Sequence, residues 1–444
     1  MMEYTNQMMF FKELFNKKVQ VDFQGGQITS DAGVLFLRET ENRINLIKNI
    51  AQCYHDSRHP GYTKHTIEKL FSQRVFQIAC GYEDANDSNE LRKDGAFKIS
   101  CEKSPNSEEL LASQPTISRF ENVPSRTNLY RIAWAFIDHF INSYTEPPEA
   151  ILLDVDDTND PTYGSQQLAL FNAYYNCHCY QPMHIFEGNS GDLITTILRP
   201  GKRPKGEEIA MILARVFKYI KAAWPQTQIL FRGDSHYSAP EVHDLCDKFN
   251  CKFVLGLKGK PILNKKANSI INKAEELFEL KKKPIKIFSE FQYQADTWKC
   301  PFRVIVKAEH SEKGANTRFI VTNLEKAHRT FVYAKAYCGR GAMELMIKEM
   351  KNHLHSDRTS CENFQANQFR LYLHSMAYIL LHAFRKRNLK NTELATAQFD
   401  TIRLRLLKIG ARIVELKTRI KIHLATGYPD KTLFYNIYQS CASP

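Results

Sequence analysis

Two periodicities divide the apolar positions of this chain. In residues 65–82, Ile67, Leu70, Phe71, Val75 and Ile78 recur at near-helical spacing, and Gly81 stands where the helix would stop. Leu129, Ile132, Phe136 and Phe140 form a second such stripe and predict a helix within residues 116–144. A third helix is predicted over residues 32–47, with Thr29, Ser30 and Asp31 offering capping oxygens ahead of it. Residues 1–30 predict an extended lead-in, because KKVQVDF alternates like a strand before the Gly25-Gly26 turn. Residues 81–94 are acidic but lack the spacing of a calcium loop, so they read as a polar connection into a further helix.

After Pro147 and Pro148 the pattern changes. AILLDVDDT, residues 150–158, is an apolar run of the kind buried on both faces of a sheet. Strand-like runs follow in LALFNAYYNCHCYQ and MHIFEG, and GDLITTILRPGKRPKG reads as a basic loop punctuated by Pro and Gly. GEEIAMILARVFKYIKAAW predicts a helix, TQILFRGDSHY a buried strand ending at Asp234, residues 240–249 a helix and CKFVLGLKG another strand. This alternation predicts an α/β fold, a mixed or partly parallel sheet with flanking helices. Residues 258–323 open with a basic helix and continue as a β-rich insertion. AYCGRGAMELMIKEMKNHL and ANQFRLYLHSMAYILLHAFRKR are expected helices, and LRLLKIGARIVELKTRIKIHLA is a strongly basic amphipathic segment. The expected division is a mainly helical region over 1–146, a core over 147–257 and 324–384, the insertion over 258–323, and a basic C-terminal segment over 385–444.

Composition narrows the class of partner. The 444 residues carry 61 Lys and Arg against 48 Asp and Glu, a formal charge of +13, which favours a polyanion. Residues 385–421 hold 11 Lys and Arg against 3 acids, either a solvated face or a DNA-backbone surface. Arg119, Arg126 and Arg131 are further candidates for phosphate contact or ordinary solvation. The 11 cysteines include no Cys-x-x-Cys pair, and Cys177 and Cys179 read as reduced strand residues. No apolar run reaches 18 residues, and the opening carries Glu3, Lys12 and Glu13, unlike a signal peptide. The expectation is a cytoplasmic protein with no membrane partner.

The candidate chemistry lies in carboxylates. Along a strand, Asp154 and Asp156 point to one face and Asp157 to the other. Paired oxygens of this kind suit Mg²⁺ or Mn²⁺, and equally a phosphoryl-transfer nucleophile with its acid partner. Asp234 ends another strand, and Glu344 sits on a predicted helix with Tyr337, Arg340 and Lys351 at offsets that share one face. Acids converging from separate elements can hold two ions that stabilise the entering and leaving oxygens at phosphorus.

The spacing Tyr-x-x-Arg-x-x-x-Glu-x-x-x-x-x-x-Lys, found here as YCGRGAMELMIKEMK, resembles the Tyr-Arg-Glu-Lys signature of DDE-type insertion-sequence transposases, group 1. LDVDDT, FRGDSHY, QGGQITSDAGVLFLRE, LASQPTISRFEN and the tail from ANQFR resemble one branch of the same family, so the likeness covers most of the chain. The resemblance implies a ribonuclease H-like catalytic core with a β-rich insertion, preceded by a mainly helical N-terminal domain. It places the first acid on Asp156, two residues before Thr158, the second on Asp234 and the third on Glu344. These three would be the metal ligands for two Mg²⁺ or Mn²⁺ ions, with Asp154 pointing into the same site as a rival or partner of Asp156. Tyr337, Arg340 and Lys351 would contact the DNA backbone at the element end. The implied partners are double-stranded DNA, both terminal inverted repeats and target, and a second copy of the chain, in a nucleoid-associated setting.

Two rivals use the same residues. LDVDDT is also a literal D-x-D-x-T, the first motif of haloacid dehalogenase-type phosphatases, with Asp154 as nucleophile and Asp156 as acid. A transposase-derived protein kept for DNA binding alone is the other. Three further residues carry two readings each: His236 as proton carrier or local hydrogen-bonding group, Glu349 as third acid or solvated side chain, and Trp298 as a stacking platform for an extruded base or a packed aromatic.

Overall fold

A computed structural model describes residues 8–442; the beginning of the expected extended lead-in, residues 1–7, lies outside the described residues. The chain divides into two compact units, one made of Met1–Asn128, Asn352–His355 and Tyr372–Pro444, the other of Leu129–Lys351 and Ser356–Leu371.

The second unit is built on an eight-stranded mixed sheet, in the order Ile285–Tyr293, Phe302–Ser311, Gly314–Thr322, Lys252–Leu257, Gln228–Gly233, Ala150–Asp157, Met183–Glu187 and Leu193–Ile197. Its centre is parallel: Gln228–Gly233 pairs in parallel with both Ala150–Asp157 and Lys252–Leu257. Ile151, Leu153 and Val155 pack with Phe231, Phe253 and the apolar face of helix Gly206–Ala223, formed by Ile209, Leu213, Val216, Phe217 and Ile220. That buried layer holds the two strands ending in Asp156 and Asp234 side by side, with their carboxyl ends at the same end of the sheet.

One expectation changes here. LITTI was expected in a loop, but Leu193–Ile197 is the last strand of the sheet, buried and paired with Met183–Glu187, as its β-branched residues favour. The three strands of residues 285–322 continue the same sheet, Gly314–Thr322 lying antiparallel to Lys252–Leu257. Trp298 packs against His243, Tyr293 and Phe302 and is only 7% exposed, which favours the packing reading.

The first unit gathers helices Val34–Ile44, Leu46–Cys53, Ile67–Ala79, Gly95–Ser100 and Gln114–Asn122 with a three-stranded sheet of Ile28–Thr29, Ala411–Leu416 and Arg419–Leu424. The continuous helix expected over 32–47 breaks at Asn45, whose φ of 50° is left-handed, and Glu41 Oε1 accepts the N–H groups of Ile47 and Lys48 at the restart. Asp31 does not cap that helix; its carboxylate takes the Tyr82 hydroxyl at 2.8 Å and an ion pair from Lys408 at 2.7 Å. Pro124 splits the helix expected over 116–144 into Gln114–Asn122 and Arg126–Asn142. Gly81 ends its helix as expected, with φ of 91° and Tyr82 N donating to the Gln77 carbonyl.

Candidate active site

Asp154 and Asp156 share a face of their strand, as alternation requires, yet their surroundings differ completely. Arg232 is the parallel-register partner of Asp154 and donates Nε to Oδ1 and Nη2 to Oδ2, both at 2.6 Å. Asp154 is 0% exposed. Its two oxygens are thus occupied by a bidentate cation in a dry setting. Gly188 permits this approach, since a Cβ there would stand 2.4 Å from Asp154 Oδ2. The remaining Arg232 nitrogen, Nη1, donates to the Ala336 carbonyl at 2.6 Å and so ties the strand ends to the segment carrying Tyr337 and Arg340.

Asp156 lies two residues further, at the open end. Arg340 Nη1 donates to its Oδ2 at 2.6 Å, and Oδ1 accepts the Asp157 N–H at 3.1 Å. Burial pushes the Asp156 carboxyl up to about 6; the Arg340 charge opposes that rise and the neighbouring Asp234 charge adds to it. Asp234 accepts the His236 N–H at 2.8 Å, and the His236 ring stands 3.9 Å from its other oxygen. Tyr337 is half-buried beside them: burial raises its phenol pKa, Arg340 opposes, and Asp234 raises it further. A Cβ on Gly256 would come within 2.8 Å of both the Tyr337 hydroxyl and the Ser235 amide, so this floor needs glycine.

Asp157, on the opposite face, accepts from Arg199 at 3.1 Å and from the Tyr237 hydroxyl. It braces the strand from behind.

The segment expected to be one regular helix is irregular. Residues 332–337 form a π turn, Cys338–Arg340 a 3₁₀ turn, Gly341–Lys348 an α-helix, and Glu349–His353 a second π turn. Each change of winding shifts the phase of side chains after it, so offsets of 3, 4 and 7 no longer put all four motif residues on one stripe. Tyr337 and Arg340 reach the strand ends. Glu344 is exposed on the α-helical stretch, whereas Glu349, expected to be solvated, is buried at 7% exposure. Lys351 turns inward: Nζ donates to the Asn159 carbonyl and, at 3.2 Å, to Thr158 Oγ1, and stands 3.8 Å from Asp160. Burial drives the Asp160 carboxyl well up, and Lys351 opposes that rise.

Asp156 and Asp234 are therefore adjacent acids in a partly desolvated setting, a pair whose mutual repulsion a divalent cation relieves. Among the described residues no three His, Cys, Asp or Glu side chains converge closely enough to hold a metal. The two acids fit such an ion, and in this structure Arg340 supplies the compensating charge. Sequence reasoning missed Arg232, Arg199 and Asp160. A lone arginine inside the apolar run QILFRG, two residues before Asp234, was the available signal for the first.

Among the described residues no helix is long and apolar enough to cross a membrane. The family model for the transposase DDE domain, group 1, matches residues 11–443, nearly the whole chain. No curated protein matches it.

Proposed function

Because this chain belongs to the group 1 DDE transposases, we propose that it cuts DNA at the ends of an insertion sequence and joins the freed ends to target DNA, within the Tyr-Arg-Glu-Lys branch. The observation that carries this reading is the meeting of Asp156, Asp234, Arg340 and Tyr337 at the carboxyl ends of two parallel strands. The sheet with flanking helices is read as a ribonuclease H-like core, the helices before it as a DNA-binding region, residues 258–323 as a β-rich insertion and residues 385–444 as a basic C-terminal segment.

Asp156, Asp234 and Glu344 are the proposed catalytic acids and the ligands of Mg²⁺ or Mn²⁺, with two ions as the working number. Such ions, when bound, stabilise the charge that develops on the entering and leaving oxygens at phosphorus. Asp156 and Asp234 form the anionic pair at the strand ends, and Glu344, exposed on its helix, would complete the set once the ions are bound. Arg340, Tyr337 and Lys351 are proposed to meet the DNA backbone beside the cut, a bidentate guanidinium suiting a phosphate as well as it suits a carboxylate. Asp154 is assigned a positioning role, since Arg232 already holds both its oxygens. In the first transfer the oxygen of water bonds to phosphorus while the 3′ oxygen leaves and gains a proton. In the second, that 3′ hydroxyl bonds to a target phosphorus while a target 3′ oxygen leaves. A homodimer on paired ends, in the nucleoid, completes the proposal.

The phosphatase reading finds no support, because its nucleophile, Asp154, is fully buried and salt-bridged. The binding-only reading separates from the catalytic one by Glu344→Gln. With a duplex carrying the inverted repeat that flanks the coding region, Mg²⁺-dependent nicking is expected to vanish while duplex binding survives. Undiminished nicking by that variant would remove Glu344 from the site, and no nicking by the wild type would leave the binding-only reading standing.

A further inference from the structure

The strongly basic amphipathic segment of the tail folds mostly as strands. After a π turn at Arg403–Leu407, strands Ala411–Leu416 and Arg419–Leu424 make an antiparallel ribbon whose inner edge pairs with Ile28–Thr29. Alternation then sorts the side chains by face. Ala411, Ile422 and Leu424 turn towards a small core with Ala32, Ile409 and Phe434, and Ile413, on the same face, is buried as well. Glu415, the only acid in the two strands, lies on that same face, where it accepts from Ser104 Oγ at 2.6 Å and from the Asn106 N–H at 3.1 Å.

The opposite face is open and cationic. The register pairs Arg412 with His423, Val414 with Lys421 and Leu416 with Arg419, so three rows each carry a basic group on one surface. Arg412, Arg419, Lys421 and His423 are all exposed, with Lys417 at the turn. None of these side chains makes a hydrogen bond or ion pair among the described residues, in contrast with Arg405 and Lys408 just before them, which bind Asp430 and Asp31. Exposed Ile28, at 65%, and Leu416, at 42%, lie on the same surface, interleaving apolar contact with charge.

We propose that this outer face of the ribbon is a duplex-DNA contact surface, with Arg412, Arg419 and Lys421 neutralising backbone phosphates. The identity of the ligand rests on the transposase reading above. Three considerations favour duplex DNA. The major groove admits a two-stranded β-ribbon. A row of unpaired cations with no acid on its face suits a regular polyanion. The inward-facing Glu415 keeps the one negative charge off this surface.

The test uses the full-length protein and a fluorescent mixed-sequence duplex, with binding measured by anisotropy across a salt series. The triple variant Arg412→Gln, Arg419→Gln, Lys421→Gln is expected to bind at least about tenfold more weakly at low salt, and its slope of log K against log salt should fall by about 2 to 3. Its thermal midpoint should stay that of the wild type, since the replaced groups have no described partners. Arg412→Lys with Arg419→Lys keeps the charges and is expected to retain both affinity and slope. A triple variant with wild-type affinity and slope overturns the proposal while leaving the transposase reading intact. A wild type that binds no duplex overturns both.

Discussion

Arg340 reaches Asp156 across 2.6 Å, so the acid expected to hold a metal is neutralised by a cation from its own signature segment. The pair is partly buried, with side chains 16% and 20% exposed. A guanidinium and a divalent ion compete for the same oxygens. Arg340→Ala is therefore expected to tighten Mn²⁺ binding to the DNA-free protein at pH 8, by about fivefold if the pair contributes about 1 kcal/mol, while DNA cleavage falls. Titration calorimetry reads the first effect. Equal or weaker Mn²⁺ affinity would show that Arg340 is not a competitor.

Asp154 and Arg232 make the opposite prediction. Removing one partner leaves the other as an unpaired buried charge, so Asp154→Ala or Arg232→Met should each cost about 3–5 kcal/mol. The double variant Asp154→Leu, Arg232→Met should recover most of that loss. Gly188→Ala, whose Cβ would press on Asp154 Oδ2, should also destabilise. Asp156→Asn, by contrast, should leave stability near the wild type and abolish cleavage. Urea unfolding distinguishes the five, and a stable Asp154→Ala protein would contradict the structural role.

Lys351 has an internal partner as well as a proposed one. Lys351→Ala leaves Asp160 buried and unpaired and should lower the thermal midpoint; adding Asp160→Asn should restore it. If DNA-end affinity stays low in the restored double variant, Lys351 also touches DNA. If affinity returns with stability, its role is internal only.

Acid should destabilise the second unit through His184, which is buried beside the Asp156 strand as its register partner and bonds Thr196 Oγ1 at 2.9 Å. Burial lowers its pKa from 6.5 to about 3, with the Lys351 charge adding to the effect. The folded state therefore keeps the ring neutral, and protons bind preferentially to the unfolded chain. The stability is present above pH 6.5 and is lost as pH falls towards 3, at up to about 1.4 kcal/mol per pH unit for this one proton. His184→Gln should flatten part of the fall between pH 6.5 and 4, measured by denaturant midpoint. An unchanged slope would assign the acid response of this unit to other groups, such as His243, lowered to about 4 chiefly by burial.

What the sequence determined by itself was the local and the repetitive. Apolar runs such as AILLDVDD and QILFRG are strands because too many β-branched and aliphatic residues stand in a row for a half-solvated helix, and the alternating helices made their pairing parallel. The parity of a strand likewise put Asp154 and Asp156 on one face and Asp157 on the other.

Tertiary structure alone decided which cation each of the two acids meets, Arg232 with both oxygens of buried Asp154 and Arg340 with one oxygen of Asp156. Parity treats them alike; the difference is Arg232, brought alongside Asp154 from 78 residues away by strand register. It also decided the geometry of the signature segment, since a count of residues assumes 3.6 per turn and packing imposed π and 3₁₀ turns that buried Glu349 and turned Lys351 inward. The basic tail shows the same limit: Arg412, Arg419 and Lys421 share a surface because two strands pair, and a cross-strand partner lies outside any local periodicity.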